Sequence, residues 1–301
     1  MRTIVRARSG APPAPVPGTL TADTARSHPL AATLGRGNSR MHLGWHLGAA
    51  LGATDDPRWI PVTRLLEDPP TLERALMAVG GEVGSTRRDV QASLLLESYA
   101  WRLILPLAGA LVAESRIPMP GSDGVALRLA DDGLPDAIRL LQGRFVALPE
   151  DPDTQHPDAD VVRDRSSFDL CLASVLIAHF EPFVRTLHTA SGRSRRALWR
   201  TVADRTATAL LYAGLACDRM AAANAAAKLT LAHPPLDDPP RYTAIGDRAV
   251  HLRHGCCLWW RTAAATTCLT CPLRVASGGG DDDGPAPCSQ RDRRTAADGL
   301  R

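Results

Sequence analysis

The sequence predicts a mainly α-helical α+β domain with a small antiparallel sheet, closing in a short cysteine-rich segment. Three observations carry this expectation. Several long stretches space their apolar residues for helix faces. Two shorter stretches combine alternation or β-branched and aromatic residues with turn signals. The two ends of the chain show no sustained periodicity and are rich in Pro, Gly, Ser and charge.

The helices come first. Thr71–Val79 sets Leu72, Ala75, Leu76 and Val79 on one face. Ser93–Glu114 is longer and more apolar, with Glu97 and Arg102 inside it; Pro106 should kink or split it, because its ring clashes with the preceding turn. Phe168–Thr189 carries Leu170, Leu172, Val175, Leu176 and Phe180. Ser194–Leu231 is Ala-rich and reads as the longest helix, ended by His233-Pro234-Pro235. Val125–Leu129 and Ala137–Leu141 flank the turn Asp131-Asp132-Gly133 and suggest a hairpin; Arg241–Trp260 reads as extended around Gly246-Asp247. The acidic, Pro-rich Leu148–Asp164 reads as a surface loop. The expected organisation is a disordered tail over 1–40, one domain over 41–274 with a metal-binding segment at 250–274, and a second tail over 275–301. Met41 is a plausible alternative start to Met1.

The chain has 301 residues, 45% hydrophobic, enough to bury a core. Its net charge of +3 gives no argument for nucleic acid or a membrane surface. Basic charge is nearly all arginine, Lys228 being the only lysine, which reads as coding bias or as an Arg-lined anion pocket. Arg2, Arg6 and Arg8 are followed by Pro and Gly rather than an apolar core, so no secretory signal is visible. The apolar runs Leu103–Ala113 and Leu170–Ala178 are too short to span a bilayer, so no integral membrane segment is expected. The expected compartment is the cytoplasm, where clustered cysteines serve as metal ligands rather than disulfides.

Four of the seven cysteines, Cys256, Cys257, Cys268 and Cys271, fall within sixteen residues as C-C-x10-C-x2-C. Four thiolates suit a [2Fe–2S] cluster, two per iron. Cys268-x2-Cys271 fits a tight turn followed by Pro272. The adjacent pair needs a bend, because neighbouring strand residues face opposite ways, and Gly255 would permit one. The simplest assignment puts Cys256 and Cys257 on one iron and Cys268 and Cys271 on the other. The alternative is structural zinc, which usually takes two separated C-x2–4-C pairs. Cys288 lies in the expected tail. Cys171 and Cys217 sit on apolar helix patterns and are expected in the core.

His254-Gly255-Cys256-Cys257-Leu258-Trp259-Trp260-Arg261, followed by Cys268-Leu269-Thr270-Cys271-Pro272-Leu273, resembles the C-terminal signature of the FhuF-type ferric-siderophore reductases. Ala197–Ala203 and Glu97–Pro106 resemble that family's upstream helices. The spacer lacks glycines that often follow the Arg, and Leu148–Asp164 would be an insertion. The resemblance implies a [2Fe–2S] protein that reduces siderophore-bound ferric iron and releases it as ferrous iron. The alternatives are an electron carrier to a protein acceptor and a zinc-stabilised siderophore-binding or accessory protein. No Gly-rich nucleotide fingerprint appears in strand–turn–helix context, so electrons would come from an external ferredoxin or NAD(P)H-dependent reductase.

Trp260 and Arg261 are the candidate substrate-binding residues, against core packing for at least one of Trp259 and Trp260 and a solvated surface role for Arg261. His251 and His254 flank the cysteines, but with four thiols present a histidine ligand is not expected. Arg193, Arg195, Arg196 and Arg200 read as a solvated helix face or as part of a substrate pocket. No acid–base residue is required.

Overall fold

A computed structural model describes residues 18–40, 49–130 and 134–276. It is mainly helical with small mixed and antiparallel sheets, the α+β class expected. In order it runs α1 (Ala22–Arg26), α2 (Pro29–Arg40), β1 (Ala49–Leu51), β2 (Trp59–Pro61), α3 (Val62–Glu67), α4 (Pro69–Val83), α5 (Arg88–Glu114), β3 (Arg116–Pro118), β4 (Val125–Leu129), β5 (Pro135–Leu140), β6 (Phe145–Ala147), β7 (Ala159–Val161), α6 (Arg165–Ser191), α7 (Arg195–Ala216), α8 (Met220–Thr230), β8 (Tyr242–Ile245), β9 (Arg248–His251) and α9 (Pro272–Ala276).

The core is built around α5. From Val90 to Ala113 only Ser98 and Arg102 escape burial, so this helix is surrounded rather than one-sided. It continues through Pro106 unbroken, contrary to a split there; packing along α7 on a fully buried helix outweighs the hydrogen bond the proline removes. By length and composition α5 and α6 could each cross a membrane, although their apolar runs alone looked too short. However, 89% of the apolar window of α5 and 50% of that of α6 lie inside the fold, as in core helices.

The long helix expected over Ser194–Leu231 is two helices. Asp218 takes a left-handed conformation (φ 52°), and α8 folds back over Gly214, where a Cβ would come within 2.7 Å of Ala223 Cβ. Helix α6 ends on Gly192 in the left-handed region, and Ser194 caps α7 by accepting the Ala197 N–H at 3.3 Å. This junction leaves Arg193 between the two helices.

β4 and β5 form the expected antiparallel hairpin, in a four-stranded sheet of order β1-β5-β4-β2 that is mixed because β1 joins parallel to β5. A second mixed sheet, β3-β6-β7, takes its edge strand from the expected surface loop. That loop is tied down by the buried Arg116, which donates to Asp151 at 2.7 Å from both Nε and Nη2.

The expected N-terminal tail is corrected over residues 18–40. Helices α1 and α2 form there, with Leu30 and Leu34 buried and Arg36 and Thr33 bonded to Glu114. Two leucines buried four residues apart supply the apolar face that composition averaging hides. Residues 1–17 and 277–301, with Cys288, lie outside the described residues, as does the Asp131–Gly133 turn.

Candidate metal centre

The antiparallel hairpin β8–β9 pairs Tyr242 with His251 and turns at Gly246 (φ 60°). Its ladder stops at His251, well short of the extended run expected to Trp260. Beyond it, residues 252–258 are held mainly by side chains of α5 and α7.

Asp204 of α7 is 1% exposed and acts as the main anchor. Its Oδ1 accepts from His251 Nε2 (3.0 Å) and the His254 backbone N–H (2.9 Å); its Oδ2 accepts from the Gly255 N–H (2.9 Å). The Arg241 N–H donates to His251 Nδ1 at 3.2 Å, which places the imidazole proton on Nε2, facing Asp204. Burial pushes the Asp204 carboxyl up, but His251, Arg253 and the two backbone N–H groups outweigh it and hold the pKa below the usual carboxylate range.

Glu97 of α5 is the second anchor. The buried Arg253 guanidinium donates to both of its oxygens, at 2.7 Å from Nη2, and Arg205 Nη2 reaches it at 2.5 Å. Burial lowers the Arg253 pKa; Glu97, the Cys257 thiol and Asp204 more than reverse this. The Arg253 N–H also donates to Thr270 O at 3.2 Å, bringing the Cys268–Cys271 turn against the same segment. Glu97 stands out in the sequence as a charge inside an apolar helix, whereas Asp204 and Arg253 do not. A lone carboxylate within an Ala-rich helix was the available signal for Asp204.

The cysteines follow. Gly255 lies flat against α7: a Cβ there would stand 3.0 Å from Arg200 Cβ and 3.3 Å from Asp204 Oδ2. Gly255 thus serves close approach, and the sharp bend falls at Leu258 (φ 64°) instead. Cys256 is half-buried, and its carbonyl accepts from Arg193 Nη2 at 2.8 Å. Cys257, Cys268 and Cys271 are buried. The Cys271 N–H donates to Cys268 O at 3.1 Å, the tight turn expected of C-x2-C. Cys257 Sγ and Cys268 Sγ are 4.0 Å apart, so the close sulfur contact crosses between the two halves of the motif instead of joining Cys256 to Cys257. Adjacent side chains diverge, and that is the physical reason.

Burial raises the Cys256 thiol pKa, against hydrogen bonds from the Leu258 N–H and Trp260. Trp259 is buried, and its indole N–H has no hydrogen-bond partner among the described residues. Trp260 is 39% exposed, with the Arg261 guanidinium 4.7 Å above its ring and Arg261 also 3.3 Å from Asp89. His254 is turned away, its Nε2–H donating to Pro239 O at 2.8 Å. Of the basic run, Arg195, Arg196 and Arg200 line a cavity of about 470 Å3 with Trp199, Glu181 and Asp238, while Arg193 stays at Cys256. Cys171 and Cys217, expected in the core, are half-buried.

A second cluster lies elsewhere in the fold: His28, His156 and Asp158 hold ligand atoms within 4.8 Å of one another. Both Nδ1 atoms accept backbone N–H groups, of Leu30 (3.1 Å) and Asp158 (3.2 Å), so both Nε2 atoms carry the proton. Such imidazoles offer no free lone pair, and His28 donates to Asp158 at 3.0 Å as a structural staple.

Residues 93–239 match the family described as ferric iron reductase FhuF-like transporter. That stretch is FhuF-like. The matched region contains Glu97, Asp204 and Arg205, and it ends before the β8–β9 hairpin, Arg253 and the four cysteines. No curated protein matches the chain. Among solved structures, it resembles the aerobactin synthetase IucA of Klebsiella pneumoniae at 16% identity and TM-score 0.42, over 55% of this chain and 31% of that one. It also resembles the petrobactin biosynthesis protein AsbB of Bacillus anthracis at 14% identity and TM-score 0.47, over 74% and 43%. The chain thus spans under half the length of either, and both likenesses are weak.

Proposed function

We propose that Cys256, Cys257, Cys268 and Cys271 hold a [2Fe–2S] cluster and that the chain reduces the ferric iron of a siderophore chelate in the cytoplasm. The observation that supports this is the 4.0 Å approach of the Cys257 and Cys268 sulfurs, in a segment anchored by two buried carboxylates and joined to a body that is FhuF-like.

The donor set fits the group. Two thiolates on one tetrahedral metal, at about 2.3 Å each, stand roughly 3.8 Å apart, and Cys257 and Cys268 are 4.0 Å apart. We accordingly assign Cys257 and Cys268 to one iron and Cys256 and Cys271 to the other. Among the described residues no three cysteine sulfurs come within 4.8 Å of one another, as a single zinc would require. The orphan Trp259 N–H is a donor in want of an acceptor two residues from Cys257, and cluster sulfurs accept hydrogen bonds.

When bound, the cluster supplies reversible one-electron transfer at low potential, reaching about −400 mV with four thiolates. The chain's own residues do the rest. Arg193 and Arg253 put positive charge beside the thiolates. Glu97 and Asp204 fix the segment so that its ligands need little rearrangement. Burial of three cysteines excludes water, and half-exposed Cys256 leaves one edge open for electron entry and exit. At the substrate, ferric iron is held far more tightly than ferrous by oxygen chelators. Each tenfold preference lowers the chelate's potential by about 59 mV, and one electron loosens the complex. The electron comes from a separate ferredoxin or NAD(P)H-dependent reductase.

Anaerobically purified protein is expected to be reddish-brown, with about two irons and two sulfides per chain. After dithionite reduction it should convert ferric siderophore to a ferrozine-trapped ferrous complex. Colourless protein with one zinc would sink the cluster, and a coloured protein yielding no ferrous iron above the protein-free control would leave only electron carriage to a protein.

A further inference from the structure

We infer that the cavity on the N-terminal half of α7 is the recognition site for the ferric chelate and that it selects anionic chelates. This rests on the reductase reading and adds to it the place and charge class of the substrate.

The cavity adjoins the cysteine edge. Its floor residue Arg200 packs on Gly255, the residue before Cys256, and Asp238 on its wall lies 3.9 Å from His254 Nδ1. Arg200 thus links the cavity lining to Gly255, the neighbour of the one cysteine of the four that is not fully buried. Its size, about 470 Å3, suits a small chelate.

The lining is cationic with spare donors. Three guanidinium groups, of Arg195, Arg196 and Arg200, face two carboxylates, of Glu181 and Asp238. Arg195 is paired to Glu181. The other pairs are loose: Arg196 lies 3.6 Å from Asp238 and 3.8 Å from Asp237, and Arg200 Nε lies 3.3 Å from Asp238. Arg200 Nε is also buried and makes no hydrogen bond among the described residues. A guanidinium has five N–H donors in a planar fork matched to carboxylate or catecholate oxygens, and few are used here. Trp199 and the Pro234-Pro235 wall add flat apolar surface. An anionic chelate satisfies the donors; an uncharged or cationic one leaves them unspent.

Gallium(III) chelates are not reduced under these conditions, so they separate binding from chemistry. Calorimetric titration of the holoprotein should show an anionic gallium tris-catecholate binding at least tenfold more tightly than an uncharged gallium tris-hydroxamate. Arg196→Gln with Arg200→Gln should weaken the anionic complex about a hundredfold, roughly tenfold per charge-assisted contact, with iron content, sulfide content and midpoint potential unchanged. The more exposed Glu181→Gln should tighten it several-fold by freeing Arg195. Equal affinity in parent and double variant, no effect of Glu181→Gln, or equal binding of both gallium complexes would overturn the assignment. Ferric chelate reduction that persists while neither gallium complex binds removes the cavity and leaves the reductase. Charge-selective gallium binding with no ferric reduction leaves the cavity and removes the reductase.

Discussion

Asp204→Asn tests whether the cysteine segment is held by α7. The substitution keeps shape and one acceptor oxygen. With Oδ1 still facing His251 and His254, an amide NH2 would point at the Gly255 N–H and at Arg253, two donors that now meet Oδ2 at 2.9 Å and 3.6 Å. Leaving a buried donor unmet costs about 1–3 kcal/mol, and removing a buried counter-charge adds to it, so the segment should lose roughly 3 kcal/mol. Because α5 and α7 bury their own faces, this loss should open the segment rather than the body. At 1.4 kcal/mol per tenfold, opening becomes about a hundredfold more frequent. The assay is iodoacetamide labelling of chelator-treated, metal-free protein, read by peptide mass spectrometry at Cys257, Cys268 and Cys271. Half-buried Cys171 on α6 is the internal reference. All three thiols should label about a hundredfold faster, with Cys171 and the urea midpoint by circular dichroism nearly unchanged. A change under threefold at the three thiols would refute the anchoring role.

Further outcomes follow from the same geometry. Cys268→Ser should lose most bound iron and sulfide, while Cys288→Ser should lose none; a fully loaded Cys268→Ser protein with parental spectra counts against that ligand. Leu30→Ala should cost about 2–5 kcal/mol in urea unfolding, because Leu30 is fully buried; a neutral result would show that α2 contributes nothing to the fold. His179 donates through Nδ1 to Pro120 O and accepts the Tyr99 hydroxyl at Nε2, and burial lowers its pKa to about 4. A depressed histidine is neutral when folded, so its contribution is complete above about pH 6.5 and is lost as pH falls towards 4. It amounts to about 3 kcal/mol. The drop in unfolding free energy from pH 7 to pH 4 should therefore be about 3 kcal/mol smaller in His179→Gln, and an identical drop would exclude this linkage.

The sequence made legible those features that repeat or cluster. Apolar spacing located α4, α5 and α6, and alternation located the β4–β5 hairpin to within two residues. Cysteine spacing located the tight turn at Cys268–Cys271. Features set by tertiary contact were not legible. The break between α7 and α8 depends on how closely Gly214 lets Ala223 approach. The folding of 18–40 depends on Leu30 and Leu34 finding the core, against a composition that reads as unstructured. The anchors Asp204 and Arg253 look like ordinary surface charges until the helices bring them inside. Likewise the basic run Arg195–Arg200 reads as a solvated face, and only the return of the Pro234-Pro235 loop encloses it.

Arg253 meets Glu97 across 156 positions of chain, and Asp204 meets Gly255 across 51. On the ribosome, the supports are therefore synthesised long before the thiols that need them. The helical body through α8 can pack while residues 252–276 are still in the exit tunnel. The four thiols then arrive at a surface already shaped to receive them, so on the proposed reading iron loading is a finishing step of biogenesis, and a chain cut short after α8 should be well packed yet unable to bind the cluster.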